Sequence, residues 1–218
     1  MSDGPASYWK LDEAAGTSAA DSAGSVTGTY TTSPTLNQTS MVRDAGTAVS
    51  FSDSVQNRVT LGDNYDFTGT ASFSIELWMT PTVANTHYRR VVSKEGTGGW
   101  WFELNASSVS PANRLYFTRK DSGGGNDYLQ TAGGLAAGTT YHIVVTYDGS
   151  NLRLYVNGAL ANGPVASSRS LPNTAAVLTL GNSSATGDPY GGLLDEVAIY
   201  TSALSATQVA DHYNAGRR

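Results

Sequence analysis

The 218-residue chain is 39 % apolar and 10 % aromatic, enough for a core, and its 24 glycines against 14 % charged residues favour many turns over helices. A formal charge of −5 with only 13 Lys plus Arg argues against a nucleic-acid partner, whose binding rests on clustered basic residues. The absence of cysteine excludes disulfides, thiolate metal sites and cysteine nucleophiles together, so any ionic staple must be held by oxygen ligands.

The N-terminus lacks the basic-then-apolar order of a signal peptide, and no apolar run approaches the roughly 20 residues needed to span a bilayer. The expectation is a module of a longer exported protein, or a protein exported by another route, acting outside the cell or on a particle surface. Tyr8-Trp-Lys-Leu-Asp-Glu13 opens the chain, and a second Leu-Asp-Glu lies near its end in Leu193-Leu-Asp-Glu-Val-Ala-Ile-Tyr200. Both sit in alternating apolar and polar runs, the mark of half-buried strands, and are predicted to pair and close one sheet.

Between them the elements follow in order. Ala48 to Phe51 and Arg58 to Leu61 read as a hairpin across residues 52–57. Phe73, Ile75, Leu77 and Met79 alternate with Ser74, Glu76, Trp78 and Thr80, and Pro81 ends this clearest of the strands. A meander follows: 89–94, 100–105, 114–120 and 128–131. Tyr141 to Tyr147 meets Leu152 to Val156 across Asp148-Gly149, and Asn157-Gly158 turns the chain again, both strong hairpin signals. Val177 to Leu180 and Leu194 to Tyr200 complete the strands. One helix is predicted at the C-terminus, where Ser205-Ala-Thr-Gln208 forms a capping box, Val209 and Tyr213 share a face and Gly216 stops the run. No helix–strand alternation occurs elsewhere, which excludes a parallel α/β fold.

The order of these motifs resembles the laminin-G-like, concanavalin A-like lectin/glucanase jelly-roll domains over nearly the whole chain. Beyond the terminal segments, it is carried by Ala20-Asp-Ser-Ala-Gly24, Phe73 to Pro81, Val92-Ser-Lys94, Tyr141 to Gly149, Leu152 to Gly158 and Ala203-Leu-Ser205. The resemblance implies an all-β fold, a two-sheet antiparallel jelly-roll sandwich with one short C-terminal helix, forming a single domain over residues 1–218. It also implies an accessory module that binds glycans or proteins and is no enzyme. Because such folds host many functions, the site has to be argued separately.

The resemblance further implies a structural Ca2+ where the loop after the first strand meets the last one. Asp21 and Asp195 would supply carboxylates, with carbonyl oxygens of Ser22 and Gly24 (or Ala23) completing the shell. The competing reading makes Asp21 to Gly24 an Asx-type turn and Asp195 a residue that binds backbone N–H groups. Asp12, Glu13 and Glu196 are weaker ligand candidates, since neighbouring strand residues point to opposite faces.

Alternation across the meander sends Phe102, Leu104, Leu115, Phe117 and Leu129 inward. It leaves Trp101, Glu103, Asn105, Arg114, Tyr116, Thr118, Tyr128 and Gln130 on the outer face. Flat rings flanked by hydrogen-bonding groups suit a sugar's C–H face and hydroxyls, and equally a protein hot spot. The candidate ligand-binding residues are therefore Arg89, Trp101, Glu103, Asn105, Arg114, Tyr116 and Tyr128, walled by Tyr88-Arg-Arg90 and the loop Asp121-Ser-Gly-Gly-Gly-Asn-Asp127. The competing readings are ordinary cross-strand pairs, and a structural, assembly or decoration domain with no small ligand. Catalysis is disfavoured. The five glutamates form no Glu-x-Asp-x-Glu set, no Gly-x-Ser-x-Gly elbow is present, Glu76 stands alone on its strand, and His142, His87 and His212 read as packing, loop and helix surface.

Overall fold

The computed structural model describes residues 3–82 and 86–217, and among them lie sixteen strands and one helix. The chain begins with β1 (Ser7–Trp9), β2 (Ser18–Ala19), β3 (Gly28–Thr31), β4 (Thr35–Thr39), β5 (Thr47–Phe51) and β6 (Arg58–Thr60). β7 (Phe73–Pro81) leads to the meander of β8 (Arg89–Glu95), β9 (Gly99–Leu104), β10 (Leu115–Lys120) and β11 (Asn126–Gln130). Then come β12 (Tyr141–Tyr147), β13 (Asn151–Val156), β14 (Ala159–Ala166), β15 (Thr179–Leu180), β16 (Gly192–Tyr200) and α1 (Ala206–Gly216).

These strands form two antiparallel sheets in a jelly-roll sandwich. The first runs β14-β13-β12-β7-β16-β5-β4 with β1 also on β16, and the second runs β11-β10-β9-β8-β15-β6-β3-β2. Ile75, Leu77 and Met79 of β7 face Phe102, Leu104, Leu115 and Phe117 of the meander across one core, all fully buried. Phe67 stacks on Phe73 at 4.4 Å between ring centroids, and Phe102 meets Phe117 at 4.9 Å. Such contacts add to the roughly 25 cal/mol per Å2 gained from apolar burial.

The chain ends pair as the sequence pattern requires: Ser7 lies opposite Ile199, Tyr8 opposite Ala198 and Trp9 opposite Val197. The first half of β16 pairs instead with β5, Gly192 opposite Phe51. Where β5 gives way to β1, the ladder between β16 and β7 skips a residue between Asp195 and Ala198, and Glu196 adopts a φ of 52°. This bulge resets the alternation, so Leu194 and Val197 both enter the core while Asp195 and Glu196 both leave it. The strict alternation expected of neighbouring strand residues is thereby broken at Asp195 and Glu196.

The segments 48–51 and 58–61 do not form a hairpin. β5 belongs to the first sheet and β6 to the second, where it pairs with β3 and β15. Val49 and Phe51 enter the core from one side and Val59 and Leu61 from the other. The loop between them crosses the edge of the sandwich, with Asn57 Oδ1 accepting the Ser52 N–H at 3.2 Å. Strands β2, β3, β4 and β14 were not apparent in the sequence. β2, β3 and β4 are short and polar, and β14 is an exposed edge interrupted by Gly163-Pro164, a position where the ladder tolerates proline.

The helix begins at the predicted capping box, Ser205 accepting from the Gln208 N–H and Gln208 from the Ser205 N–H. Gly216 is its last residue rather than its stop, and a Cβ there would lie 2.6 Å from Trp78. That close approach seats α1 on the outer face of the first sheet. Val209 and Leu204 cover Val144, Tyr155, Ala198 and Tyr200, and Tyr213 stacks on Trp78 at 5.9 Å. The second face of β7, which carries Ser74, Glu76 and Trp78, is consequently buried: Ser74 is 0 %, Glu76 1 % and Trp78 5 % exposed.

Candidate functional site

The meander's predicted outer row exists, but tertiary packing divides it. Across the sheet, Arg90, Glu103, Tyr116 and Gln130 stand in one rank, and Ser93, Trp101, Thr118 and Tyr128 in the next. Arg90 lies over the Trp101 ring at 5.1 Å and bridges Glu95 at 3.0 Å, with Glu103 as a second partner. Trp101 is left 7 % exposed, so it serves as a support rather than a platform. Burial pushes the Glu103 carboxyl above its usual range, against the opposing pull of Arg90.

Arg89 and Asn105 are not on this surface. Arg89 points inward, fully buried, and donates to the Asn105 carbonyl at 3.3 Å and to Asn113 Oδ1. Asn105 holds the 105–114 loop, donating to the Pro111 carbonyl at 2.9 Å and accepting from the Arg114 N–H at 2.7 Å. Arg114 ties down the far edge through the Ala132 carbonyl at 3.0 Å. What remains open is a pair of rings. Tyr128 is 53 % exposed and half-buried Tyr116 lies 6.0 Å away, the planes inclined at 43°.

On the other side of β11, at the end of the sandwich, lies a groove of about 570 Å3 between the 121–127 loop, the 148–150 turn and residues 166–170. Its walls are fixed by charge. Arg169 bridges Asp121 at 2.7 Å and Asp127 at 2.9 Å, and Ser167 donates to Asp127 while accepting from buried Arg119, both at 2.6 Å. Arg119 stacks on Tyr147 at 3.8 Å, anchoring this network to the core. Gly125 packs closely here, since a Cβ would sit 2.0 Å from Arg169 Nη1 and displace it. The bond from Arg169 holds Asp121 below its usual pKa and raises that of Arg169, so the pair stays charged. The glycine run flanked by two aspartates was legible as a border loop. Ser167 and Arg169 had no local signal, because an irregular segment brings them in from about 40 residues away.

The calcium ligands expected from the resemblance do not assemble. Asp21 accepts five hydrogen bonds, from Ser7 Oγ at 2.6 Å and from the N–H groups of Tyr8, Ala23, Gly24 and Val26 at 2.8–3.1 Å. Burial raises its pKa, but these bonds outweigh burial and the net shift is downward. The turn reading accounts for Asp21, and Ser22 donates its own N–H to the Tyr8 carbonyl. Asp195 belongs to a different network, accepting from the Met41 N–H at 2.9 Å and Ser40 Oγ at 3.3 Å. Among the described residues, no three Asp, Glu or His side chains are grouped closely enough to hold a metal ion. Asp21 and Asp195 are thus each engaged by protein donors, in separate networks.

Glu76 is not alone. Buried beneath α1, it accepts from Tyr200 Oη at 2.9 Å and contacts His142 Nε2 at 2.7 Å and His212 Nδ1 at 2.9 Å. His212 continues to Asp3 at 2.7 Å. Burial works against the Glu76 charge, but the two histidines pull its pKa down to about 2, and the bond to Glu76 pushes His212 up to about 9. Sequence spacing could not reveal this network, because β7, β12, β16 and α1 each contribute one member.

The Laminin_G_3 family model, described as the concanavalin A-like lectin/glucanases superfamily, matches residues 53–210. The chain belongs to this family. No curated protein sequence is significantly similar to this member. Its fold is shared with domain 4 of AbnA, a GH43 extracellular arabinanase from Geobacillus stearothermophilus, in complex with arabinotriose. The two are 21 % identical over 95 % of this chain and 97 % of that one, with a TM-score of 0.68. The binding domain of Paraclostridial Mosquitocidal Protein 1 is 16 % identical over 97 % of this chain and 52 % of its own, with a TM-score of 0.70. The binding domain of botulinum neurotoxin DC, in complex with SialylT, is 15 % identical over 97 % and 51 %, with a TM-score of 0.71. This Laminin_G_3 chain thus spans about half the length of the toxin domains and nearly all of the arabinanase domain.

Proposed function

We propose that this protein is a noncatalytic, extracellular carbohydrate-binding module that takes an oligosaccharide at the β10–β11 hairpin. The observation that carries this reading is the hydroxyl-lined groove in which Arg169 is clamped between Asp121 and Asp127. Adjacent sugar hydroxyls each need a donor and an acceptor at fixed positions, and a paired guanidinium and carboxylate supply both without reorganising. The exposed Tyr116–Tyr128 pair on the other side of β11 offers a C–H platform to a chain that wraps over the hairpin. Similarity to a domain complexed with arabinotriose and to one complexed with SialylT supports the ligand class, and the partial span of the toxin domains supports a module working within a larger protein. A noncatalytic role is supported by Glu76, whose carboxylate is already engaged by three neighbours.

The test is calorimetric titration with arabinotriose, preceded by a glycan array. Saturable binding is expected, weakened at least tenfold in Asp127→Asn and Arg169→Ala proteins that keep the parental melting midpoint. An array without a hit, or binding unchanged in both variants, would overturn the reading.

A further inference from the structure

The groove between the 121–127 loop and residues 166–170 carries its charge unevenly. Of the residues that line it, Asp121 and Asp127 are carboxylates and Arg169 is the one cation. That cation is already paired twice: Nη1 donates to Asp121 Oδ2 at 2.7 Å, and Nε lies 2.9 Å from Asp127 Oδ1. On the adjoining turn Arg153 is matched by Asp148 at 2.6 Å. Arg119 stands behind Ser167 and is 0 % exposed, its donors directed to Ser167 Oγ and to the Gly69 and Arg169 carbonyls, out of a ligand's reach. The rest of the open wall is neutral hydroxyl, from exposed Thr70, Ser150, Ser168 and Ser170.

A carboxylate on a sugar is held by a guanidinium or ammonium that is free to receive it, commonly through a two-point fork. In this groove it could take Arg169 only by displacing Asp121 or Asp127, and it would lie beside the carboxylate it displaced, where like charges repel. A neutral hydroxyl meets no such repulsion. It can donate to either aspartate and accept from Arg169 Nη2, which takes part in neither bridge. Resting on the carbohydrate-binding reading above, we propose that the groove selects neutral oligosaccharides and rejects sialylated or uronate-bearing ones, with Asp121 and Asp127 as the specificity-determining residues. Selection then comes from a repulsive element set beside the attractive ones. Asp121 is the residue whose two roles can be separated. Its Oδ1 accepts the Gly125 N–H at 2.9 Å, an acceptor that asparagine retains, whereas Oδ2 binds Arg169.

The experiment is calorimetric titration of the full chain with three probes: arabinotriose, arabinotriose oxidised to a carboxylate at its terminal primary hydroxyl, and the methyl amide of that acid, which restores neutrality at the same position. The amide is expected to bind at least tenfold more tightly than the acid. In Asp121→Asn the affinity ratio of acid to amide should rise at least fivefold, and in Asp127→Asn it should move the same way, even as affinity for arabinotriose itself falls. Acid bound as tightly as amide, or a ratio unchanged in both variants, would overturn the proposal. The glycan array separates this outcome from failure of the carbohydrate-binding reading. Neutral glycans binding without their sialylated or uronate counterparts support the selection. Hits confined to acidic glycans overturn it and leave the carbohydrate-binding reading standing, and an array without any hit overturns both. The two aspartates lie at opposite ends of the loop, so either variant keeps the test decisive if the other folds poorly.

Discussion

The two sheets present opposite solutions on their outer faces. The first is roofed by α1, and beneath that roof Glu76, His142, His212 and Tyr200 form a buried charged network. The second carries no helix among the described residues, and its charges, Arg90 with Glu95 and Glu103, lie beside the open Tyr116–Tyr128 pair. The strand patterns of β7 and β9 look alike, each placing a glutamate and a tryptophan on the noncore side. Whether such a residue becomes structural or stays available to a ligand depends on what covers it.

The largest expected effect comes from removing the centre of the roofed network. Glu76→Ala removes the buried carboxylate shared by two histidines and a tyrosine and is expected to cost about 3–5 kcal/mol, the range for breaking a buried ion pair from one side. Tyr128→Ala on the open face should change stability by less than about 0.5 kcal/mol. Urea denaturation of both proteins measures the contrast, and equal losses would erase the distinction between the faces.

Next in size is a pH dependence specific to the roofed side. His212 has its pKa raised from 6.5 to about 9, so its contribution is complete below pH 6.5 and is lost as pH rises toward 9. Burial pushes Asp195 from 3.8 and Glu196 from 4.5 to about 7, so the folded state holds protons that the unfolded chain releases. Stability therefore falls as pH rises from about 4 to 7. Glu76, lowered from 4.5 to about 2, acts in the other direction, losing its contribution as pH drops through that window. The melting midpoint is expected to peak near pH 5 and to decline by several degrees toward pH 9. Asp195→Asn should flatten the slope between pH 4 and 7, and His212→Asn the slope above pH 6.5. An unchanged profile in both variants would refute the assignment.

On the open side the smaller effect is functional. Tyr128→Ala should weaken oligosaccharide binding about two- to tenfold, in line with the roughly 0.5–1.5 kcal/mol attributed to aromatic contacts. Trp101→Ala, which removes a buried support, should lower the melting midpoint as well as affinity. The smallest expected response is to calcium. Because Asp21 is saturated by protein donors, adding Ca2+ or a chelator should shift the midpoint by less than about 1 °C, and a larger shift would reveal ligands elsewhere.

Much of the fold was legible because period-two patterns and turn residues act locally. β7, the meander, the β12–β13 hairpin and the capped helix all follow from their own residues, and the pairing of the chain ends follows from two similar strands needing partners. The false hairpin at 48–61 shows the limit: two alternating runs joined by a polar loop can pair or can face each other across a core, and only the other strands decide which. The candidate site was half legible. Tyr116 and Tyr128 follow from alternation, whereas Arg89 and Asn105 belong to loop anchoring, and Arg169 reaches Asp121 and Asp127 only through the chain's return.

What the sequence determined by itself is the longer strands, the inward set of apolar side chains and the lack of a Glu-x-Asp-x-Glu set, since each depends on neighbours within a few positions. Tertiary structure alone decided which outward residues are covered, where the bulge at Asp195 and Glu196 reverses the alternation, and which distant charges meet. These depend on contacts between segments up to about 200 residues apart, and no local period encodes them.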